Sequence, residues 1–166
     1  MAKIRTVVIG STAIAAWLAF HGTTGGVNPV ATLLSTAAVP VGGSYTVQTW
    51  APAFLHAAGE PVTTCDVKFV IAWENAEGGA WQNSATGNPL NSTQTEPGSH
   101  SINSAGVQAY TSWQQGLEAD AATLRNGKYT GILSALNAGN DAQQAANAVA
   151  GSPWGTGQFK IGRAHV

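Results

Sequence analysis

The chain has 166 residues, enough for one domain of ordinary size. Only 9% of these residues are charged, against roughly 25% in most soluble domains, and the formal net charge is -1. This composition excludes a charge-rich disordered protein and argues against a nucleic-acid binder with a basic patch. The single cysteine, Cys65, excludes an intrachain disulfide and a zinc site built from cysteines.

The N-terminal part of the chain has almost no charge. Lys3 and Arg5 open the sequence, and the next charged residue is Glu60. Residues 6–20 are apolar but diluted by Gly, Ser, Thr and Ala, which is typical of the core of an export signal and too short to span a bilayer comfortably. We therefore expect residues 1–22 to be a signal-like segment or a weak membrane anchor. A buried N-terminal helix of the domain and a virion-internal segment are the alternatives.

Two further segments fall outside the predicted domain, which spans residues 46–159. Residues 23–45 are rich in Gly, Thr, Ala and Pro without a sustained period, and this predicts a flexible linker. Residues 160–166 end in Ile-Gly-Arg-Ala-His-Val, which corresponds to one reading frame of a common sequencing-library adapter. We expect an adapter scar there and a truncated C-terminus, with a genuine basic tail as the alternative.

Removing these ends shows that the domain itself is acidic. The domain then contains three basic residues and all eight acidic residues of the chain; the basic residues are Lys68, Arg125 and Lys128. An acidic surface repels nucleic acid, so we expect no nucleic-acid partner.

Apolar periodicity predicts two helices at the start of the domain. The first spans residues 47–58 with one apolar stripe and ends at Gly59. The second begins at a Thr63 or Thr64 cap and runs to Glu77. Because the second helix is apolar on most sides, we expect it to be central and buried.

A long polar stretch, residues 80–107, follows the second helix. Structureless loops of this length are uncommon in a compact domain unless they are functional. Short β-strands are expected near residues 90–93 and 107–110. Three more helices are then predicted, each with its cap or stop signal: Trp113–Arg125 after Ser112, Tyr129–Ala138 before Gly139, and Asp141–Ala150 after Asn140.

Two glutamates, Glu74 and Glu77, lie at the C-terminal end of the second helix. The negative end of the helix dipole and desolvation by Trp73 both disfavour an ionised carboxylate there. We therefore expect an acid with a raised pKa that can donate a proton near neutral pH. A solvated surface position is the alternative for either residue.

Several segments of the sequence, taken together, resemble a known protein family. In chain order they are Gly59-Glu60-Pro61, Ala72-Trp73, Glu77-Gly78-Gly79, Asn88 to Thr93, Gly106 to Tyr110, Gly116-Leu117 and Ser152 to Thr156. Over about residues 47–157 the sequence resembles a lysozyme-like domain of actinobacterial phages, found in lysins and tail-associated proteins. It is more distantly similar to the bacterial glucosaminidase family. The resemblance implies a mainly α, lysozyme-like α+β fold, with the acid on a central helix and a polar, short β-hairpin excursion.

The resemblance also implies a function, namely cleavage of a β-1,4 glycosidic bond in the glycan strands of bacterial peptidoglycan. Glu77 matches the general acid. Glu74, one helical turn earlier, could instead be the acid or a structural partner of a nearby donor. The residues that match the cleft are Asn88, Leu90 and Asn91 in a turn, Tyr110 and Ser112 in an aromatic-x-Ser element, and Trp154. Pro89 and Asn91 depart from the glucosaminidase pattern, so the bond that is cleaved stays open. No cofactor and no metal are implied.

The second catalytic group also stays open. Glu96 is the only carboxylate of the polar stretch, and a substrate N-acetyl group or 6-hydroxyl could capture the anomeric carbon instead. Trp81 and Trp113 could stack on sugar rings, although buried packing is favoured for Trp113. His100 has no partner at a metal-ligand spacing.

Two classes of function follow from these patterns. The first is a wall hydrolase that is secreted, anchored through residues 6–20 with its domain facing the cell wall, or carried in a virion tail. The second is a catalytically silent lysozyme-like module that binds the wall or serves as a structural part of a virion. A hole-forming membrane protein is disfavoured, because only one marginal apolar segment exists.

Overall fold

The computed structural model describes residues 45–78 and 81–162. The predicted leader, nearly all of the predicted linker and residues 163–166 lie outside this part of the chain. The described residues are mainly helical, with five helices and one small sheet. Their order along the chain is α1 Val47–Ala58, α2 Thr64–Gly78, β1 His100–Ser101, β2 Gln108–Ala109, α3 Trp113–Leu124, α4 Thr130–Ala138 and α5 Ala142–Ala150.

The first two helices have the ends that their sequences predict. The Thr46 hydroxyl accepts a hydrogen bond from the Thr49 N–H, and the two threonines form a capping box at the start of α1. Gly59 ends α1 with a φ of 78°, a left-handed conformation that glycine adopts without steric cost. The Thr63 hydroxyl accepts from the Asp66 N–H at 3.1 Å and so caps α2.

Helix α2 packs against both α1 and α5, as expected for a central helix. Its side chains Phe69, Val70 and Trp73 have no exposed surface. Burying each of these large apolar side chains stabilises the fold by roughly 1.5–3 kcal/mol before entropy is counted. The fully buried core also includes leucine, isoleucine and valine side chains from every other helix and from the loop after α2: Leu55, Leu90, Leu124, Ile132, Leu136 and Val149.

The polar stretch between α2 and α3 contains the small sheet. Strands β1 and β2 are antiparallel, with His100 opposite Ala109 and Ser101 opposite Gln108. The strand expected near residues 107–110 is confirmed at β2. The strand expected near 90–93 is wrong: Leu90 lies in a turn with its side chain in the core, and residues 91–96 are irregular.

The last three helices begin close to the predicted residues. The Ser112 hydroxyl accepts from the Gln115 N–H at 3.1 Å, so the predicted cap of α3 is confirmed. The predicted cap of α5 is wrong by one residue. The carboxylate of Asp141, not the side chain of Asn140, accepts from the Gln143 and Gln144 N–H groups, because an ionised oxygen there also complements the helix dipole.

After α5 the chain runs back over α2. Trp154 packs edge-on against Trp73 with ring centroids 4.8 Å apart, and Phe159 stacks on Phe69 at 6.4 Å. This return segment also carries Thr156, so it covers the end of α2 where the two glutamates lie. No helix in the described ranges 45–78 and 81–162 has both the length and the apolarity needed to cross a membrane.

Candidate functional site

Glu77 lies in the last turn of α2 and is partly exposed. Its carboxylate oxygen Oε1 accepts a hydrogen bond from the Thr156 hydroxyl. The Thr156 oxygen in turn accepts from the Trp73 indole N–H at 3.2 Å. A chain of donors therefore runs from the core through Thr156 to Glu77 and fixes the orientation of the carboxyl group.

The turn after α2 holds the main chain of Glu77 as well. The Asn91 side-chain amide donates to the Glu77 carbonyl at 2.7 Å, which satisfies one of the unpaired carbonyls at the helix end. Asn91 has a φ of 54°, and asparagine is among the few residues that tolerate this left-handed region. Gly78 allows the close packing, because a Cβ there would lie 2.8 Å from both the Glu74 carboxylate and the Pro89 carbonyl.

Burial raises the pKa of the Glu77 carboxyl above its ordinary value. Hydrogen bonding by Thr156 and Asn91 opposes this shift, because donors stabilise the ionised form. The pKa remains raised because desolvation outweighs these two contributions. Glu77 therefore has the property expected of a general acid, a proton retained to higher pH than in water.

Glu74 lies one helical turn before Glu77 and is only 1% exposed. Its Oε1 accepts from the Trp81 backbone N–H at 2.6 Å. Within the described part of the chain, its Oε2 has no hydrogen-bond partner. Burial raises the pKa of Glu74, and the bond from Trp81 opposes that shift.

A cleft with a volume of about 220 Å³ adjoins Glu74. Two tryptophans in its wall, Trp81 and Trp113, are stacked with ring centroids 4.8 Å apart and an interplanar angle of 6°. Trp113 is partly exposed and packs against the core, so the favoured expectation of buried packing is met in part. The described residues that line the cleft are Glu74, Trp81, Asn83, Ala85, Thr86, Gly87, Pro89 and Trp113.

Three of the residues predicted to bind substrate are buried, which corrects the expectation that they line the cleft with their side chains. Asn88 has no exposed surface, and its amide bonds the Ser92 N–H, the Ser92 carbonyl and the Gln108 carbonyl at 2.7 to 2.9 Å. Leu90 is also fully buried in the core. Tyr110 is 4% exposed and its hydroxyl donates to the Gln94 carbonyl at 2.7 Å. These side chains hold the polar stretch together and do not face solvent.

The other residues predicted to bind substrate lie at different places in the fold, and none of them is among the described residues that line the cleft. Ser112 caps α3, and Asn91 joins the Glu77 end of the site. Trp154 is partly exposed, packs against Tyr129 and donates its indole N–H to the Leu90 carbonyl at 3.2 Å. Glu96 is not among the described residues that line the cleft, and its carboxylate contacts the neighbouring Gln94 amide.

A bridge of side-chain amides links the two glutamate environments. Asn83, which lines the cleft beside Glu74, donates to the Asn91 side-chain oxygen at 3.2 Å and to the Asn88 carbonyl at 2.8 Å. Asn91 in turn holds the carbonyl of Glu77. These hydrogen bonds therefore connect the cleft wall to the main chain of Glu77 at the end of α2, and Glu77 itself is not among the described residues that line the cleft.

One buried acid, Asp120 on α3, was not recognised from the sequence. It has no exposed surface, and within the described residues neither carboxylate oxygen has a hydrogen-bond partner. Burial raises its pKa to about 8. The helical spacing of the sequence could have predicted that Asp120 is buried, because it shares a helical face with Leu117, Ala121 and Leu124.

No protein-family model, curated protein or solved structure matches this chain. In the described ranges, no three His, Cys, Asp or Glu side chains come together in a group that could hold a metal ion.

Proposed function

We propose that this protein cleaves a β-1,4 glycosidic bond in the glycan strands of bacterial peptidoglycan, with Glu77 as the general acid. The observation that carries the proposal is the Glu77 carboxyl itself. It is partly exposed at the end of a central helix, is oriented by Thr156, and has a pKa raised by burial. The sequence resemblance to lysozyme-like domains implies the acid at the same residue. The five helices and the two-stranded sheet of the described residues are compatible with a mainly α domain, which is the coarser part of that expectation.

The proposed chemistry begins with proton transfer to the leaving group. In this proposal the acidic proton of Glu77 lies on Oε2, because Oε1 accepts from the Thr156 hydroxyl. Glu77 donates it to the glycosidic oxygen as positive charge develops at the anomeric carbon. General acid catalysis of this kind contributes roughly 10²–10⁴-fold to the rate.

The anomeric carbon must then be captured. Glu96 does not line the cleft, and Glu74 is the one described carboxyl that does. Glu74 is a weak candidate for a nucleophile, because its raised pKa keeps it protonated to higher pH than a free carboxylate. We therefore favour capture by the substrate's own N-acetyl group or 6-hydroxyl, and the ends of the products distinguish these two routes.

The proposal is tested by substituting each glutamate and measuring fragments released from purified peptidoglycan by mass spectrometry. We expect Glu77→Gln to lower the rate of release by about 100-fold or more, since the amide cannot donate an acidic proton. Glu118→Gln is the matched control, because Glu118 is an exposed carboxylate on α3 and should leave the rate unchanged. Glu74→Gln separates the two acids of α2.

The outcomes are distinguishable. A Glu77→Gln variant as active as the wild type would remove Glu77 from the mechanism, and loss of activity in Glu74→Gln alone would assign the acid to Glu74. Wild-type protein that binds peptidoglycan without releasing fragments would instead indicate a silent wall-binding or virion structural module. For the active enzyme, we propose that the domain reaches the wall by export through residues 1–22 or within a virion tail.

A further inference from the structure

The turn between α3 and α4 contains the one Asn-Gly pair of the sequence, Asn126 and Gly127, and both residues are exposed. Within the described part of the chain, no hydrogen bond engages the Asn126 side-chain nitrogen Nδ2 or the Gly127 backbone nitrogen. Solvent therefore reaches the side-chain amide of Asn126, and the backbone nitrogen that follows it has no competing contact.

The side-chain carbonyl of Asn126, in contrast, has a fixed partner. The Lys128 backbone N–H donates to its Oδ1 at 3.0 Å, which forms an Asx turn. A donor in this position draws electron density from the carbonyl carbon Cγ, and it stabilises the negative charge that develops on Oδ1 when a nucleophile adds. The turn therefore activates the amide of Asn126 toward attack.

Gly127 supplies the nearest nucleophile, its own backbone nitrogen. Attack on Cγ closes a ring within one dipeptide, so the two reacting groups need no diffusional encounter. Gly127 has a φ of 90° and carries no Cβ that would crowd the ring closure, and its backbone reaches conformations that are closed to other residues. The pair therefore combines an activated carbonyl with an unhindered nucleophile.

We propose that Asn126 is a site of spontaneous modification in the folded domain, where attack by the Gly127 nitrogen converts it to aspartate and isoaspartate. In the first step the Gly127 nitrogen gives up its proton and bonds to Cγ of Asn126. The bond from Cγ to Nδ2 then breaks, and Nδ2 takes up a proton and leaves as ammonia. The product of this step is a succinimide.

Water completes the conversion by adding to either carbonyl of the succinimide. Addition at Cγ breaks the new bond to the Gly127 nitrogen, which regains its proton, and leaves aspartate in an ordinary backbone. Addition at the main-chain carbonyl leaves isoaspartate, whose chain continues through the former side chain. Either route consumes one water, releases one ammonia and forms one carboxylate, with no oxidation or reduction.

The chain contains a matched comparison at Asn103. Asn103 and Ser104 are also exposed, and Oδ1 of Asn103 accepts from the Ala105 and Val107 N–H groups, each at 3.1 Å. Its carbonyl therefore has two donors where that of Asn126 has one. The residue that follows Asn103 has a Cβ, which crowds the attacking nitrogen. We therefore expect Asn103 to convert much more slowly than Asn126.

The conversion changes the charge of the domain. Arg125 and Lys128, two of its three basic residues, flank the pair, and a carboxylate between them makes an acidic domain more acidic. The new charge also lies just after the C-terminal end of α3, where the helix dipole disfavours an anion. Aged molecules are therefore a chemically distinct and more anionic form, whatever reaction the domain catalyses.

The test follows the folded full chain during incubation at neutral pH, with digestion and tandem mass spectrometry. We expect peptides that contain Asn126 to exchange the amide for a carboxyl group and to separate into two isomers before Asn103 reacts measurably. Isoaspartate is diagnostic, because direct hydrolysis of the side chain by water gives aspartate alone. Conversion without isoaspartate, or conversion no faster than at Asn103, would overturn the proposal.

Two substitutions isolate the role of the residue that follows each asparagine. Gly127→Ala should slow the conversion of Asn126 about tenfold, because its Cβ crowds the attacking nitrogen. Ser104→Gly should accelerate the conversion of Asn103 by a similar factor of about ten. Anion-exchange chromatography follows the charge, with Asn126→Asp as the standard for the aspartate product.

The two variants lie in different loops, so they fail independently. Circular dichroism verifies that each is folded, and Ser104→Gly provides a test should Gly127→Ala disturb its own turn. Unchanged rates in both variants would overturn attack by the following nitrogen, and the expected changes in both would support it.

Discussion

Two residues in the loop after α2 bond the glutamates of that helix and have unusual backbone conformations. In the described part of the chain, Trp81 and Asn91 are the non-glycine residues with positive φ, at 67° and 54°. The Trp81 N–H bonds the Glu74 carboxylate, and the Asn91 amide bonds the Glu77 carbonyl. A left-handed backbone at a bulky residue costs on the order of 1–3 kcal/mol and persists only where surrounding contacts enforce it. The strain at Trp81 therefore lies directly beside the Glu74 carboxylate.

At the same scale, the hydroxyl of Thr156 opposes the effect of burial on the pKa of Glu77. Its hydrogen bond stabilises the ionised carboxylate and so lowers the pKa that burial raises. Thr156→Val removes the donor while keeping the shape, and we expect the pKa of Glu77 to rise by up to about one unit. A carbon-13 NMR titration of the Glu77 carboxyl measures this directly. Thr156→Ser should leave the pKa near the wild-type value, and a fall in the Thr156→Val variant would contradict the role assigned to the hydroxyl.

At the scale of elements, α3 approaches the loop after α2 through a glycine. A Cβ added at Gly116 would lie 1.8 Å from the Gly87 carbonyl oxygen, far inside van der Waals contact. We expect Gly116→Ala to lower the free energy of unfolding by about 3 kcal/mol, because the helix and the loop must separate to admit the methyl group. The measurement is urea denaturation.

Gly131 provides the matched helical control. It lies on α4, where an added Cβ would have nothing within 4 Å. We expect Gly131→Ala to be neutral or stabilising by up to about 1 kcal/mol, through the higher helix propensity of alanine. Equal effects of the two substitutions would show that propensity, and not the close approach to Gly87, determines the cost at position 116.

The helices were predictable from the sequence to within a residue or two, because apolar periodicity and caps such as Ser112 are local signals. The polar stretch was not, because its structure comes from long-range bonds such as that from the Asn88 amide to the Gln108 carbonyl. For the same reason, the partner of Glu77 could not be predicted. Thr156 is distant in sequence, and only the return of the chain after α5 brings it to the carboxylate.

At the scale of the whole molecule, aromatic side chains form a continuous row through the described residues. Successive ring centroids are 4.8 to 6.4 Å apart along the whole series, so every member contacts the next. The row includes Trp81 and Trp113 of the cleft wall and Trp73, which donates to Thr156, and its members in order are Tyr45, Trp113, Trp81, Trp50, Phe54, Trp73, Trp154 and Tyr129. Packing along this row ties the cleft and the Glu77 carboxyl to the same rigid core.

Acids with raised pKa values are a second property of the whole domain. Burial raises the pKa of five of the chain's eight carboxylic side chains, listed here in order: Glu60, Asp66, Glu74, Glu77 and Asp120. A raised pKa means that the folded state binds the proton more tightly than the unfolded state. The folded state therefore loses stability as the pH rises through the interval between the two pKa values. We expect this domain to be most stable in mild acid.

Asp120 should contribute most of this dependence, because burial raises its pKa from 3.8 to about 8. Between these values its proton is released on unfolding, so the free energy of unfolding falls by up to about 1.4 kcal/mol per pH unit from this group alone. Asp120→Asn keeps the shape and cannot ionise. In urea denaturation we expect the variant to have a flatter pH dependence and to be more stable than the wild type near pH 8, with the advantage vanishing near pH 4. Glu118→Gln, at an exposed position, should retain the wild-type slope, and an equal slope in Asp120→Asn would show that another buried acid sets the pH dependence.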